Sequence, residues 1–404
     1  AVDGYAVSPH LGTRAELAAL VLECRRRGIA LLQDQVANHV GPAHRWAGDP
    51  PTPTWIHRRA PNAFRGADVF SPHASPPARR RTLDGWFGDL LPDLNQDDPE
   101  CATWLIQNAL WWVGTFGFGG IRQDTVPYVP TKFWHRWSQA LRAEFPGISL
   151  LGEVNYYEPA LVAHWMRGGL PRRDRDAGFD QGYDFPLQGA LRHVFAENGP
   201  LTALSETLAR DPIYPDAERL VTFVGLHDTP RFASLAPDWA LPLAFAFVFL
   251  TRGTPLVYYG DEIAMQGKDD PETRAHFPGG FPVDGRDAFT RAGRSPFEES
   301  LRGTIAALAR LRRSHRSLRA GGRTVFVATE AERLAWVRHP AGSSPEADGS
   351  LLCVVHREPE TEAAILEDLG TVRLPKRSAG IWERRRGAWV PRVVVDGSGF
   401  HDAG

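Results

Sequence analysis

Gly119-Gly120-Ile121-Arg122-Gln123-Asp124 is a short apolar run that ends on a guanidinium and a carboxylate two residues apart. Other runs close in the same manner. Ile148-Ser149-Leu150-Leu151-Gly152 ends on Glu153, Leu220 to Leu226 leads to His227-Asp228, and Ile29-Ala30-Leu31-Leu32-Gln33-Asp34 leads into Asn38-His39. Each reads as a buried parallel strand. A charge at the end of such a strand cannot serve the core, so it projects into the loop face where α/β barrels place their active sites. Arg122 and Asp124 share one strand face, and alternation turns Gln123 away from it.

Helical patterns separate these strands, which is the rhythm of a (β/α) barrel. One runs over 15–27 and ends at Gly28, and Pro99 opens another through Ala102, Leu105, Ile106, Ala109, Leu110 and Val113. Others are expected near 131–144, 158–167, 187–210, 239–250 and 299–313. Residues 40–97 break the rhythm, being rich in Pro, Arg and Asp, and read as an insertion subdomain. From about residue 322 onward helices cease. Val325–Val327, Leu334–Arg338, Leu351–Val355, Thr371–Leu374 and Val393–Val395 are short strands, as in a β-sandwich. The expected organisation is a (β/α) barrel over 1–321, including the 40–97 insertion, and a C-terminal sandwich over 322–404.

The chain has 404 residues with 43% hydrophobic composition, enough for one large domain and a smaller one. A net charge of -2 argues against a nucleic-acid partner. Arg79-Arg80-Arg81 reads as a solvated loop. No run reaches the roughly 18 apolar residues of a membrane span. Cys24, Cys101 and Cys353 are odd in number and lack metal-ligand spacing, so free thiols are expected. Most of the 13 Trp residues are expected in the core. Localisation and oligomeric state are not legible.

Taken together, Asp34-Gln-Val-Ala-Asn38-His39, Gly120-Ile-Arg122-Gln-Asp124, Leu151-Gly152-Glu153-Val154 and Phe223-Val-Gly-Leu226-His227-Asp228 resemble, in order, the four signatures of the α-amylase family, glycoside hydrolase family 13. Leu91-Pro92-Asp93-Leu94-Asn95, Thr254 to Glu262 and Arg274 to Phe281 agree, the first and last resembling its neopullulanase and cyclomaltodextrinase branch. Two substitutions depart from the pattern. Leu226 stands where the family has Asn, and Gln123 where it has an apolar residue. Asp3 to Thr13 resembles the stretch after the family's second strand, so the first two strands of a (β/α)₈ TIM barrel are expected upstream of residue 1. The family's subdomain after the third barrel strand matches 40–97 in position.

The resemblance implies retaining hydrolysis of α-glucosidic bonds in maltooligosaccharides, cyclodextrins, pullulan or starch. Asp124 is then the nucleophile, kept ionised and oriented by Arg122. Glu153 is the acid/base, its proton held by the crowding of other carboxylates. Asp228 stabilises the oxocarbenium-like transition state, while His39 and His227 donate to sugar hydroxyls. Asp34 reads as structural. No cofactor is required for this chemistry. Asn38 and Asp93 are the candidate ligands of an optional Ca²⁺, although two donors fall well short of the 6–8 that ion takes. The partner is an α-glucan oligosaccharide or polysaccharide. The alternatives are an α-glucan transglycosylase, in which a sugar hydroxyl replaces water, or a non-catalytic sugar-binding or scaffold homologue inactive through truncation.

Overall fold

The computed structural model describes residues 3–88, 90–169, 176–319, 321–358, 363–366 and 370–402. They fall into two compact units, Ala1–Tyr183 with Ile213–Pro215, and Asp184–Pro212 with Asp216–Gly404.

In the first unit, helix α1 (Arg14–Arg26) begins at Thr13. The Thr13 hydroxyl accepts from the Glu16 N–H while the Glu16 carboxylate accepts from the Thr13 N–H, so two otherwise orphaned donors are satisfied. Strand β1 (Leu32–Gln35) follows, three residues later than the apolar run at Ile29 implied. Ile29 itself is 54% exposed. Among its described residues the insertion holds two α-helices, α2 (Gly66–Phe70) and α3 (Pro76–Leu83), after a 3-10 turn at Arg45–Ala47. Arg79 to Arg81 therefore lie on a helix and not in the expected loop. Ser75 caps it through the Ala78 N–H, and a proline in its first turn sits where a missing N–H costs nothing.

Helix α4 (Pro99–Phe116) is capped by Asp98 and ends at Gly117, whose left-handed φ of 75° suits glycine. Then come β2 (Gly120–Gln123), α5 (Thr131–Glu144), β3 (Ser149–Gly152), α6 (Pro159–Trp165) and β4 (Gln181–Tyr183). The pairs β1–β2, β2–β3 and β3–β4 are all parallel. Gly120 is required by a close approach, because a Cβ there would collide with the carbonyl oxygen of Ser149 on β3. Register aligns Asp34 with Arg122 and Gln123 with Gly152, so the strand-end charges emerge at one level. Gln123 is buried and donates from Nε2 to the Gln35 carbonyl on β1. Beside β1, Leu11, Leu17, Leu20, Leu32 and Trp112 line an apolar groove of about 930 Å³.

The second unit opens with α7 (Phe185–Phe195) and α8 (Thr202–Leu208), two helices where the sequence suggested one. Gly199 and Pro200 part them. Next are β5 (Leu220–Thr222), α9 (Ala240–Leu250), β6 (Thr254–Pro255) and α10 (Pro296–Ser314), with β5 and β6 parallel. Every residue of α9 is buried, which explains why it has no polar face.

The remaining strands are β7 (Arg323–Thr329), β8 (Arg333–His339), β9 (Leu351–His356), β10 (Ala363–Leu366), β11 (Gly370–Arg373), β12 (Ser378–Arg385), β13 (Ala388–Asp396) and β14 (Gly399–Asp402). They form a six-stranded antiparallel sheet in the order β14-β13-β12-β9-β8-β7 and a two-stranded β10–β11 sheet. Alternation buries both faces of the larger sheet. Leu334, Trp336, Cys353, Val355 and Ile381 join the core around α9, while Ala335, Val337, Leu352, Val354 and Trp382 pack with Leu374 on the other face. Among the described residues no helix is long and apolar enough to cross a membrane.

Candidate active site

Arg122 is the centre of the charged cluster in the first unit. Its Nη1 donates to Asp34 Oδ1 and to Asp124 Oδ1, both at 2.7 Å. Nη2 lies 2.9 Å from Glu153 Oε1. This last contact is a charge pair off the line of a hydrogen bond. The Arg122 and Glu153 side chains are 8% and 7% exposed, against 18% for Asp124 and 60% for Asp34. Burial alone would lower the pKa of Arg122, but the carboxylates of Glu153, Asp34 and Asp124 outweigh it and raise the value, so the guanidinium stays charged. Asp34 therefore belongs to the charge cluster. The sequence reading counted the acids around Glu153, and the structure sets a cation among them.

Backbone geometry completes this corner. The Asp124 N–H donates to the Gln35 carbonyl and the Glu153 N–H to that of Gln123, which carries both acids just past their strands. Thr125 holds a left-handed φ of 49°, uncommon for a β-branched residue, and its N–H donates to Glu153 Oε2 at 3.0 Å. Burial pushes the Tyr183 phenol up to about 12 against the lowering pull of Arg122. His39 Nδ1 pairs with Asn38 Oδ1 at 3.1 Å, and its ring lies 5.5 Å from that of Phe87. Burial lowers the His39 pKa, opposed in part by the Asp124 charge.

Asn38 and Asp93 do meet, but as hydrogen-bond partners. Asn38 Nδ2 donates to Asp93 Oδ1 at 2.8 Å and to the Tyr128 carbonyl at 3.1 Å. The other Asp93 oxygen pairs with His57 Nδ1 at 2.6 Å. Burial pushes the Asp93 carboxyl up to about 7, against the lowering pull of His57. For His57, burial would lower the pKa, yet the hydrogen bond to Asp93 and the charges of Asp93 and Asp84 raise it.

As arranged, this pair does not fit Ca²⁺. An amide NH₂ and a histidine ring face the carboxylate where the ion needs oxygen donors, and among the described residues no group of three or more His, Cys, Asp or Glu side chains is placed to hold a metal. Asp93 is fully buried, so His57→Leu is expected to destabilise the protein by about 3 kcal/mol. Urea unfolding followed by tryptophan fluorescence measures the loss. An unchanged midpoint would mean that Asp93 does not depend on His57.

In the second unit His227 and Asp228 follow β5. His227 Nε2 lies 2.9 Å from Asp228 Oδ2, and Arg274 Nη2 donates to Asp228 Oδ1 at 2.5 Å. Leu226 is 5% exposed, and its N–H donates to Thr229 Oγ1 at 2.8 Å. The pairing of Arg274 with Asp228 and of His57 with Asp93 escaped the sequence reading. In each case the partner sits on a segment without apolar periodicity, Arg274 at the end of the 3-10 turn Glu272–Arg274. The tryptophans are mainly packing residues: Trp134, Trp137, Trp165 and Trp336 are fully buried.

The family model for the α-amylase catalytic domain matches residues 1–298. A cyclomaltodextrinase from Geobacillus thermopakistaniensis (strain MAS1) is 26% identical over 377 residues, covering 89% of this chain and 56% of the relative. A maltogenic α-amylase from Bacillus acidopullulyticus is 28% identical over 282 residues, covering 68% and 45%. The chain thus spans about half the length of these curated relatives. Among solved structures, an α-amylase from Geobacillus thermoleovorans complexed with acarbose superposes with a TM-score of 0.72 at 26% identity, covering 100% of this chain and 84% of that one. A cyclic α-maltosyl-(1→6)-maltose hydrolase from Arthrobacter globiformis, at 23% identity and a TM-score of 0.74, shares the fold.

Proposed function

The chain belongs to the α-amylase catalytic-domain family, and from that membership we propose that it hydrolyses α-glucosidic bonds with retention, in maltooligosaccharides and cyclodextrins first, and in pullulan or starch. The observation that carries this reading is one buried guanidinium shared by Asp124 and Glu153. A retaining mechanism needs two carboxyl groups side by side, about 5–5.5 Å apart, and a common cation draws two acids together. Relatives named for cyclomaltodextrin and maltogenic activity support the substrate class.

Asp124 Oδ attacks the anomeric carbon while Glu153 protonates the departing glycosidic oxygen, and the C–O bond breaks as the glycosyl–Asp124 ester forms. Glu153, now a carboxylate, takes a proton from water, which displaces Asp124 and releases the sugar. Arg122 donates to Asp124 Oδ1 and so orients that carboxylate for attack. His39 serves as a donor to a sugar hydroxyl. Asp228 takes the part of the third acid, against positive charge developing on the ring, and His227 is a second hydroxyl donor. In a transglycosylase a sugar hydroxyl takes the place of that water, and nothing observed favours this outcome over hydrolysis. All three acids are present, which counts against a purely sugar-binding homologue.

The test is the anomer released. With γ-cyclodextrin, pullulan and starch as substrates, proton NMR is expected to show the α-anomer first, the product of two displacements. A β-product would overturn the assignment, because inversion needs the acids about 6.5–9.5 Å apart with water between them. Sugar binding with no turnover of any α-glucan would favour the non-catalytic homologue.

A further inference from the structure

We propose that Arg274 is a positioning residue that holds the Asp228 carboxylate in its working orientation before a sugar arrives. The inference rests on the role given to Asp228 above. Asp228 follows a strand of only three residues, β5, and lies in a loop. Its side chain is 35% exposed, and a carboxylate so placed rotates freely unless both oxygens are held. Here both are: Oδ1 by Arg274 Nη2 at 2.5 Å and Oδ2 by His227 Nε2 at 2.9 Å.

The arginine is not a chance surface contact. Its neighbour Thr273 is 3% exposed and donates from Oγ1 to the His227 carbonyl at 3.1 Å. A bond between the residue before Arg274 and the residue before Asp228 sets the two charges opposite each other. The same loop is pinned by the Tyr258 hydroxyl on the Thr273 carbonyl at 3.4 Å and the Tyr259 hydroxyl on the Ala275 carbonyl at 2.9 Å. Both tyrosines pack under the buried Arg231, whose guanidinium carbon lies 4.1 and 4.9 Å from their ring centres. A scaffold of this kind fixes a side chain by its surroundings.

An ion pair with Arg274 47% exposed contributes little to folding. Its effect belongs to catalysis. A carboxylate that stabilises a developing positive charge acts at the transition state, so losing its orientation lowers kcat more than it alters KM.

Arg274→Ala is expected to unfold within about a degree of wild type, because the Thr273 and tyrosine contacts remain. On maltoheptaose its kcat should fall about 10- to 100-fold, the scale of a displaced catalytic group, with KM changed less than about threefold. Arg274→Lys, which keeps the charge without the planar fork, should recover part of the loss, as should millimolar guanidinium added to Arg274→Ala. A crystal structure of Arg274→Ala should show the Asp228 carboxylate turned or in more than one orientation. An Arg274→Ala enzyme within about twofold of wild-type kcat, or faster, would overturn the proposal. If the wild-type protein cleaves no α-glucan, the hydrolase reading falls, and the Asp228 orientation in that crystal still decides the positioning role: unchanged, it sinks this as well.

Discussion

Asp124→Ala is expected to lower kcat on maltooligosaccharides by about 10³-fold or more while leaving their binding measurable by calorimetry. The reason lies in what Arg122 does to that carboxylate. Nη1 donates to Asp124 Oδ1 at 2.7 Å from a side chain that is 8% exposed, so the anion is held in one place and largely out of water. Alanine removes the carboxylate on which the proposed glycosyl ester would form. Water attacking directly would have neither the orientation nor the charge. Retention of more than about a tenth of wild-type kcat would show that another group is the nucleophile. Asp124→Asn, which keeps the shape and loses the charge, should be impaired to a similar degree.

Arg122→Met carries the second large effect, and it is twofold. Methionine fills the volume but leaves the Asp124 carboxylate, 18% exposed, without its cation. Breaking a buried ion pair on one side costs about 3–5 kcal/mol, because the remaining charge is left uncompensated. The urea midpoint should therefore fall markedly, and kcat by about 10²-fold or more in conditions where the variant is still folded. Arg122→Lys separates the two consequences. A single ammonium restores charge but cannot bind Asp34, Asp124 and Glu153 along fixed directions, so stability should return further than activity. A methionine variant as stable as wild type would mean that the three carboxylates need no common partner.

Much of the fold was legible because its signals are local. Helix periodicity over 131–144 located α5, and the proline at 99 located the start of α4, because both signals depend only on neighbours a turn apart. Where a breaker or cap outweighed the apolar period the reading slipped. Gly199-Pro200 divides what looked like one helix, and Arg79 to Arg81 lie on α3 because Ser75 and Pro76 start a helix in a segment with no apolar period. Strand β4, three residues long, carries Tyr183 to Arg122 and was too short to register as a pattern.

The strand-end positions of Asp124 and Glu153, and the shared face of Arg122 and Asp124, were set by the sequence alone, whereas the run leading to Asp228 stops being a strand at Thr222, six residues short of it. A strand turns its side chains with a period of two, and a charge after an apolar run has nowhere to go but the loop face. Which charges meet was decided only by the tertiary structure. Asp34 reaches Arg122 across 88 residues, Arg274 reaches Asp228 across 46, and His57 reaches Asp93 across 36. Such pairs depend on how strands register and how irregular loops fold back. The residue that neutralises a buried acid can come from any segment that packs there, and no spacing rule in the chain announces it.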